Sequence, residues 1–89
     1  MKNNNTIAAY HIQSRKNNIL ELNTRKLYHW NIPKRLRVNP IQKGDIVLVP
    51  TARGTRSVVV MDVFREEFEE TQRRYRKVIK VLERAPEKE

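Results

Sequence analysis

The sequence predicts a small, mainly β domain of about five short antiparallel strands curled into a barrel. Three observations predict it. Apolar residues alternate or cluster in runs of four to eight, many of them β-branched. Pro33, Pro40, Pro50 and the pair Gly44-Asp45 punctuate those runs. The chain has 89 residues, enough for one domain and a thin core. Residues 6–84 are expected to form that domain, with disordered tails at 1–5 and 85–89. Hydrophobic content is 38%, which is too apolar for a fully disordered chain.

The first strand is predicted over Thr6 to Gln13. Ile7, Ala9 and His11 fall on one face and Ala8, Tyr10 and Ile12 on the other. Ser14 to Asn18 is polar and ends in Asn-Asn, a turn composition. Ile19 to Leu22 reads as a second short strand, and Asn23 to Lys26 as a second polar break. Leu27 to Ile32 is a half-buried strand that gathers Tyr28, Trp30 and Ile32 on one face, and Pro33 stops it. Lys34 to Asn39 is a basic connector.

Gly44-Asp45 opens the plainest unit. Ile46 to Val49 is wholly apolar and ends at Pro50, Thr51 to Arg56 is a turn with one glycine, and Ser57 to Phe64 is an apolar return. That pattern predicts a β-hairpin, with Gly54 free to take a positive φ. The last third admits two readings. Phe64, Phe68, Tyr75, Ile79 and Leu82 fit helical spacing, with glutamates early and arginines late. The alternative, preferred here, is a turn or short helix near 66–73 followed by a strand over Tyr75 to Leu82. The β-branched run Lys77-Val78-Ile79-Lys80-Val81-Leu82 supports it.

The segment Lys43 to Val63, KGDIVLVPTARGTRSVVVMDV, resembles the hairpin of SH3-like and KOW-type small barrels. Gly-Asp leads into an apolar strand, a basic glycine-containing loop follows, and an apolar strand returns. Gly54 stands alone where the KOW motif carries further glycines, a departure that points away from ribosomal and transcription-factor roles. The whole chain also resembles short uncharacterised proteins of Gram-positive phages and plasmids. What the resemblance implies is a five-strand SH3-like barrel used for binding nucleic acid or protein.

Charge sharpens the expected function. The formal net charge is +9, and residues 1–44 hold nine Lys/Arg against the single acid Glu21. Such an imbalance repels itself unless a polyanion compensates it, and nucleic acid is the commonest such partner. Three basic groups stand out. Arg25 and Lys26, with Lys34, Arg35 and Arg37, bracket the aromatic strand containing Tyr28 and Trp30. Arg53 and Arg56 lie in the hairpin loop, where no structural need calls for two arginines. Arg73, Arg74, Arg76 and Lys77 surround Tyr75. Cations beside aromatic rings on a sheet suit phosphate contact and base stacking. The plain structural roles are a core tryptophan at Trp30 and pairing of the third group with Glu66 to Glu70.

Catalysis is not expected. There is no cysteine, no phosphate-cradling glycine loop, no paired-histidine zinc motif and no nucleophile elbow. His11 and His29 sit among apolar strand residues and read as structural or surface groups, and Asp45 reads as a turn former. No cofactor, metal or membrane span is expected. Ile7 to Ala9 is too short for a signal peptide or span, so a cytoplasmic location is expected. The expected activity is an accessory or regulatory nucleic-acid-binding module. The alternative is an interaction module that docks on an acidic protein, such as a phage- or plasmid-encoded anti-defence inhibitor, and a homodimer through a strand edge is a third reading.

Overall fold

The computed structural model describes residues 4–17, 19–67 and 75–85. They form one antiparallel sheet of five strands: β1 (Thr6–Lys16), β2 (Ile19–Asn31), β3 (Ile46–Thr51), β4 (Gly54–Phe64) and β5 (Lys80–Glu83). The strand order is β2-β1-β4-β3-β5. The mainly β, five-strand expectation holds. Among the described residues, a 3₁₀ turn, Lys34–Leu36, lies in the basic connector.

β1 is central. It pairs with β2 on one side (Thr6↔Asn31 through Lys16↔Ile19) and with β4 on the other (Thr6↔Phe64 through His11↔Val58). Its small, apolar start suits that place: Ile7, Ala8 and Ala9 are all buried. Past His11, β1 leaves β4 behind and continues with β2 as a two-stranded ribbon. An ion pair between Arg15 and Glu83 ties this ribbon to β5.

Two boundaries read from sequence need correction. β1 runs on to Lys16, and Asn17 takes a left-handed φ of 51° before β2 begins at Ile19. The break at Asn23 to Lys26 does not divide two strands. It is a bulge within β2, because Ala9 faces Tyr28 while His11 already faces Asn23. Thr24, Arg25, Lys26 and Leu27 therefore stand opposite the single residue Tyr10. The Asn23 side chain accepts from the Arg25 N–H at 3.2 Å, a local bond that competes with the ladder. Polar residues did interrupt the pairing, but cross-strand contacts on both sides kept the strand in one sheet.

The predicted hairpin is β3–β4, closed by Ala52 and Arg53, and Gly54 takes the left-handed φ of 102°. Pro50 stays inside β3, opposite Thr55, because its missing N–H falls on the side away from β4. The predicted last strand is shorter than Tyr75 to Leu82. Only Lys80–Glu83 is strand, and a single helix over 64–84 is excluded. Most of the short helix expected near 66–73 lies outside the described residues.

The core gathers Ile7, Ala9, Trp30, Val47, Val49, Val58 and Val60 from four strands, with Ile32, Ile41 and Val78 from the connections. Burying one such aliphatic side chain contributes about 1.5–3 kcal/mol. Asn5 and Ala85 are both tied into the domain. The Asn5 side chain donates to Glu66 O and accepts from Glu66 N, each at 2.8 Å. The Ala85 N–H donates to Asp45 Oδ1 at 2.7 Å. Both residues, assigned to tails by sequence, are fixed parts of the domain.

The barrel closes at one point only. Asn31 N–H donates to Arg76 O at 2.8 Å, and Val78 N–H donates to Asn31 O at 2.9 Å. Ile79 N–H then donates to Leu48 O at 2.8 Å. Residues 76–79 thus bridge β2 to β3, but no continuous ladder joins β2 to β5. Beyond the bridge a seam remains.

Candidate nucleic-acid interface at the open seam

The seam is an open groove of about 250 Å³. One wall is β2, at Tyr28, His29 and Trp30. The other is the end of β3 and its turn, at Pro50, Thr51 and Ala52. His11 closes the floor, and Tyr75 and Arg76 close the side next to the bridge. Strand alternation places Tyr28 and Trp30 on one face, as their sequence positions predicted, and the pairing of Ile7 with Trp30 and Ala9 with Tyr28 brings His11 to the same face.

The rings pack edge to face and in tilted stacks. His11 meets Tyr28 edge-on at 4.8 Å between centroids and Trp30 at 5.7 Å. Tyr28 and Trp30 lie 6.1 Å apart at 31°. On the neighbouring face His29 stacks on Tyr75 at 5.5 Å and 21°. The Tyr75 hydroxyl donates to Glu66 Oε1 at 3.3 Å, which fixes that ring's tilt. Trp30 is 5% exposed, and its Nε1–H donates to Pro50 O at 3.1 Å, so it serves as a wall of the groove as well as core. Tyr28 is 39% exposed, so part of its ring meets solvent.

Cations surround these rings. Lys26 Nζ lies 5.0 Å from the Tyr28 centroid, within cation–π range, and is placed there by the bulge. Arg53 is exposed in the two-residue turn beside Ala52, whereas Arg56, which the sequence assigned to the turn, is an exposed residue of β4 opposite Val49. Arg56 Nη1 donates only to the neighbouring Thr55 O. The His11 imidazole is held below its ordinary pKa, first by partial burial and then by the Arg56 charge. That second cause puts the Arg56 charge within electrostatic reach of the groove floor.

The sequence-predicted site residues divide into groups. Tyr28 and Trp30 line the seam, Lys26 lies over Tyr28, the Arg56 charge acts on His11, Arg53 is exposed in the turn next to Ala52, and Arg25 is exposed on the bulge. Lys34, Arg35 and Arg37 do not join them. Arg37 donates twice to Ile32 O, at 2.9 and 2.7 Å, and Arg35 donates to Ile79 O. These guanidinium groups clamp the connector to backbone beyond the Asn31–Lys77 bridge, and Lys34 is exposed on the same turn. Arg73 and Arg74 lie outside the described residues. Sequence reading missed His11 and His29 as groove residues, and it named Tyr75 and Arg76 only as a separate basic group, not beside Tyr28 and Trp30. The signals for His11 and Tyr75 were present: His11 shares a face with Ile7 and Ala9, and Tyr75 stands among four cations.

Asp45 has a structural task. It is 2% exposed and accepts from Gln42 N at 2.9 Å, Ala85 N at 2.7 Å and Arg84 Nη1 at 3.0 Å. No helix among the described residues is long and apolar enough to cross a membrane. No curated protein and no solved structure matches the chain. The model of a family of unknown function (DUF5839) matches residues 2–84, nearly the whole sequence, and the chain belongs to that family.

Proposed function

We propose that the protein is a non-enzymatic nucleic-acid-binding module that engages its ligand at the open seam. The supporting observation is the groove itself: the rings of His11, Tyr28 and Tyr75, with Arg76 in its lining, Lys26 over the Tyr28 ring and the Arg56 charge near His11. Aromatic surfaces stack on bases, and the surrounding cations meet phosphates. The +9 net charge supplies the long-range attraction for a polyanion. The SH3-like resemblance of the hairpin is consistent with such use, although fold does not by itself give function.

A fluorescence-anisotropy titration with labelled single- and double-stranded DNA and RNA tests this reading. Four phosphate contacts to a single strand would lower affinity about fiftyfold between about 50 and 200 mM salt. The Arg53→Ala/Arg56→Ala variant should bind more weakly and with a shallower salt dependence. Absence of binding to all four ligands at low salt would exclude the proposal and favour an acidic protein partner.

A further inference from the structure

The two walls of the seam differ in what their backbones offer. Along an edge strand, successive residues turn their N–H and C=O groups alternately toward and away from the neighbouring strand. Asn31 turns both outward, where Arg76 and Val78 take them. His29, two residues earlier in the same regular register, also turns its N–H and C=O outward, into the groove it lines. No described residue bonds to either group. Across the seam, Pro50 has no N–H, and its carbonyl is taken by the Trp30 indole.

An added peptide strand needs a run of donors and acceptors. The β3 wall offers none past Leu48 O, which Ile79 already occupies. On the β2 wall, the bulge Thr24–Leu27 breaks the regular edge just before Tyr28. What remains is one donor and one acceptor on a single residue, beside exposed aromatic surface. Every nucleobase carries adjacent donors and acceptors on its pairing edge, together with a flat face for stacking.

We infer that the seam captures a single unstacked base of a single-stranded nucleic acid, stacked against Tyr28 and hydrogen-bonded along its pairing edge by the main chain of His29. This rests on the nucleic-acid reading above and adds strandedness and a mode of recognition to it. The groove volume, about 250 Å³, lies below the roughly 300–1,000 Å³ typical of sites for drug-sized ligands and suits one base. Lys26, Arg53 and Arg56 then contact the flanking phosphates. A paired base in a duplex buries its pairing edge and cannot enter.

The test compares four labelled ligands of equal length by anisotropy: a thymine single strand, the same strand with N3-methylated thymines, an abasic strand and a duplex. Quenching of Trp30, the only tryptophan, provides an independent readout at the groove. The thymine strand should bind roughly five- to hundredfold more tightly than the abasic strand. The methylated strand should lose about fivefold. Tyr28→Ala should reduce the ratio between thymine and abasic strands toward one. Equal affinity for thymine and abasic strands would overturn base capture while leaving nucleic-acid binding intact. Equal affinity for methylated and unmodified strands, or a preference for duplex, would overturn it as well. Failure of every oligonucleotide, with binding of an extended oligoglutamate peptide instead, would overturn both readings.

Discussion

Asp45 and Ala85, 40 residues apart, are joined by a 2.7 Å hydrogen bond from the Ala85 N–H to the buried Asp45 carboxylate. The other carboxylate oxygen holds Gln42 N and Arg84 Nη1, so one side chain shapes the turn before β3 and fastens the chain after β5. Asp45→Ala removes the acceptor of two part-buried N–H groups and the carboxylate partner of Arg84. Because Arg84 is 40% exposed and can turn to water, the expected loss is about 2–4 kcal/mol. Urea denaturation should show a lower midpoint with little change in slope.

Gly44 is pressed against the same contact. Its φ is +95°, and an added Cβ would lie 3.0 Å from the Ala85 Cβ. Gly44→Ala should cost about 1–3 kcal/mol. A drop in melting temperature measured by circular dichroism, at roughly 4–8 °C per kcal/mol, checks this.

His11 gives a pH signature. Its pKa in the folded state lies below the ordinary 6.5 because of burial and then the Arg56 charge. Below pH 6.5 the unfolded chain takes up a proton that the folded chain resists, so this group lowers stability as pH falls from 6.5 through its folded pKa. Arg56→Gln removes the second cause and should raise the His11 pKa part of the way toward 6.5, as read by NMR titration of the imidazole. A titration unmoved by Arg56→Gln would place the Arg56 charge away from the groove.

Arg53 and Arg56 should act on affinity alone. Arg53→Ala and Arg56→Ala each remove an exposed side chain, so melting temperature should stay within the small range of surface substitutions. Each should flatten the logarithmic salt slope of nucleic-acid binding by about one.

Tyr28 and Trp30 should separate binding from stability. Trp30→Ala empties a core position and frees Pro50 O, at a cost of about 3–5 kcal/mol. Tyr28→Ala, at a 39% exposed position, should cost far less stability while weakening binding. Parallel melting and anisotropy measurements on the two variants decide it.

The parts of the fold legible in sequence are those set by near neighbours. The β3–β4 hairpin follows from Gly44-Asp45, the valine runs and Gly54, all local signals. The face shared by Tyr28, Trp30 and Ile32 follows from strand alternation, and all three turn toward the core side. Asn23 to Lys26 showed its polar composition, but only pairing to β1 could show that it is a bulge that carries Lys26 over Tyr28. The groove itself was hidden, because it exists only where the Asn31–Lys77 bridge stops and Pro50 seals the facing strand. No local pattern marks either event. Arg35 and Arg37 looked like ligand contacts for the same reason: the carbonyls they hold come from residues brought near by the tertiary fold.

The strand order carries a consequence for how the chain opens and closes. β1 sits between two neighbours, and its pairing with β4 closes a loop from Thr6 to Phe64. The β3–β4 hairpin closes over two residues and can nucleate early, whereas β1 must wait for a large entropic cost to be met. β5 attaches along a single short ladder to β3. In native-state hydrogen exchange, amides of Lys80–Glu83 should therefore exchange through a shallow local opening, and those of Ile7 to Ala9 only through global unfolding. The seam beside β5 would then widen and narrow many times during the lifetime of one folded molecule.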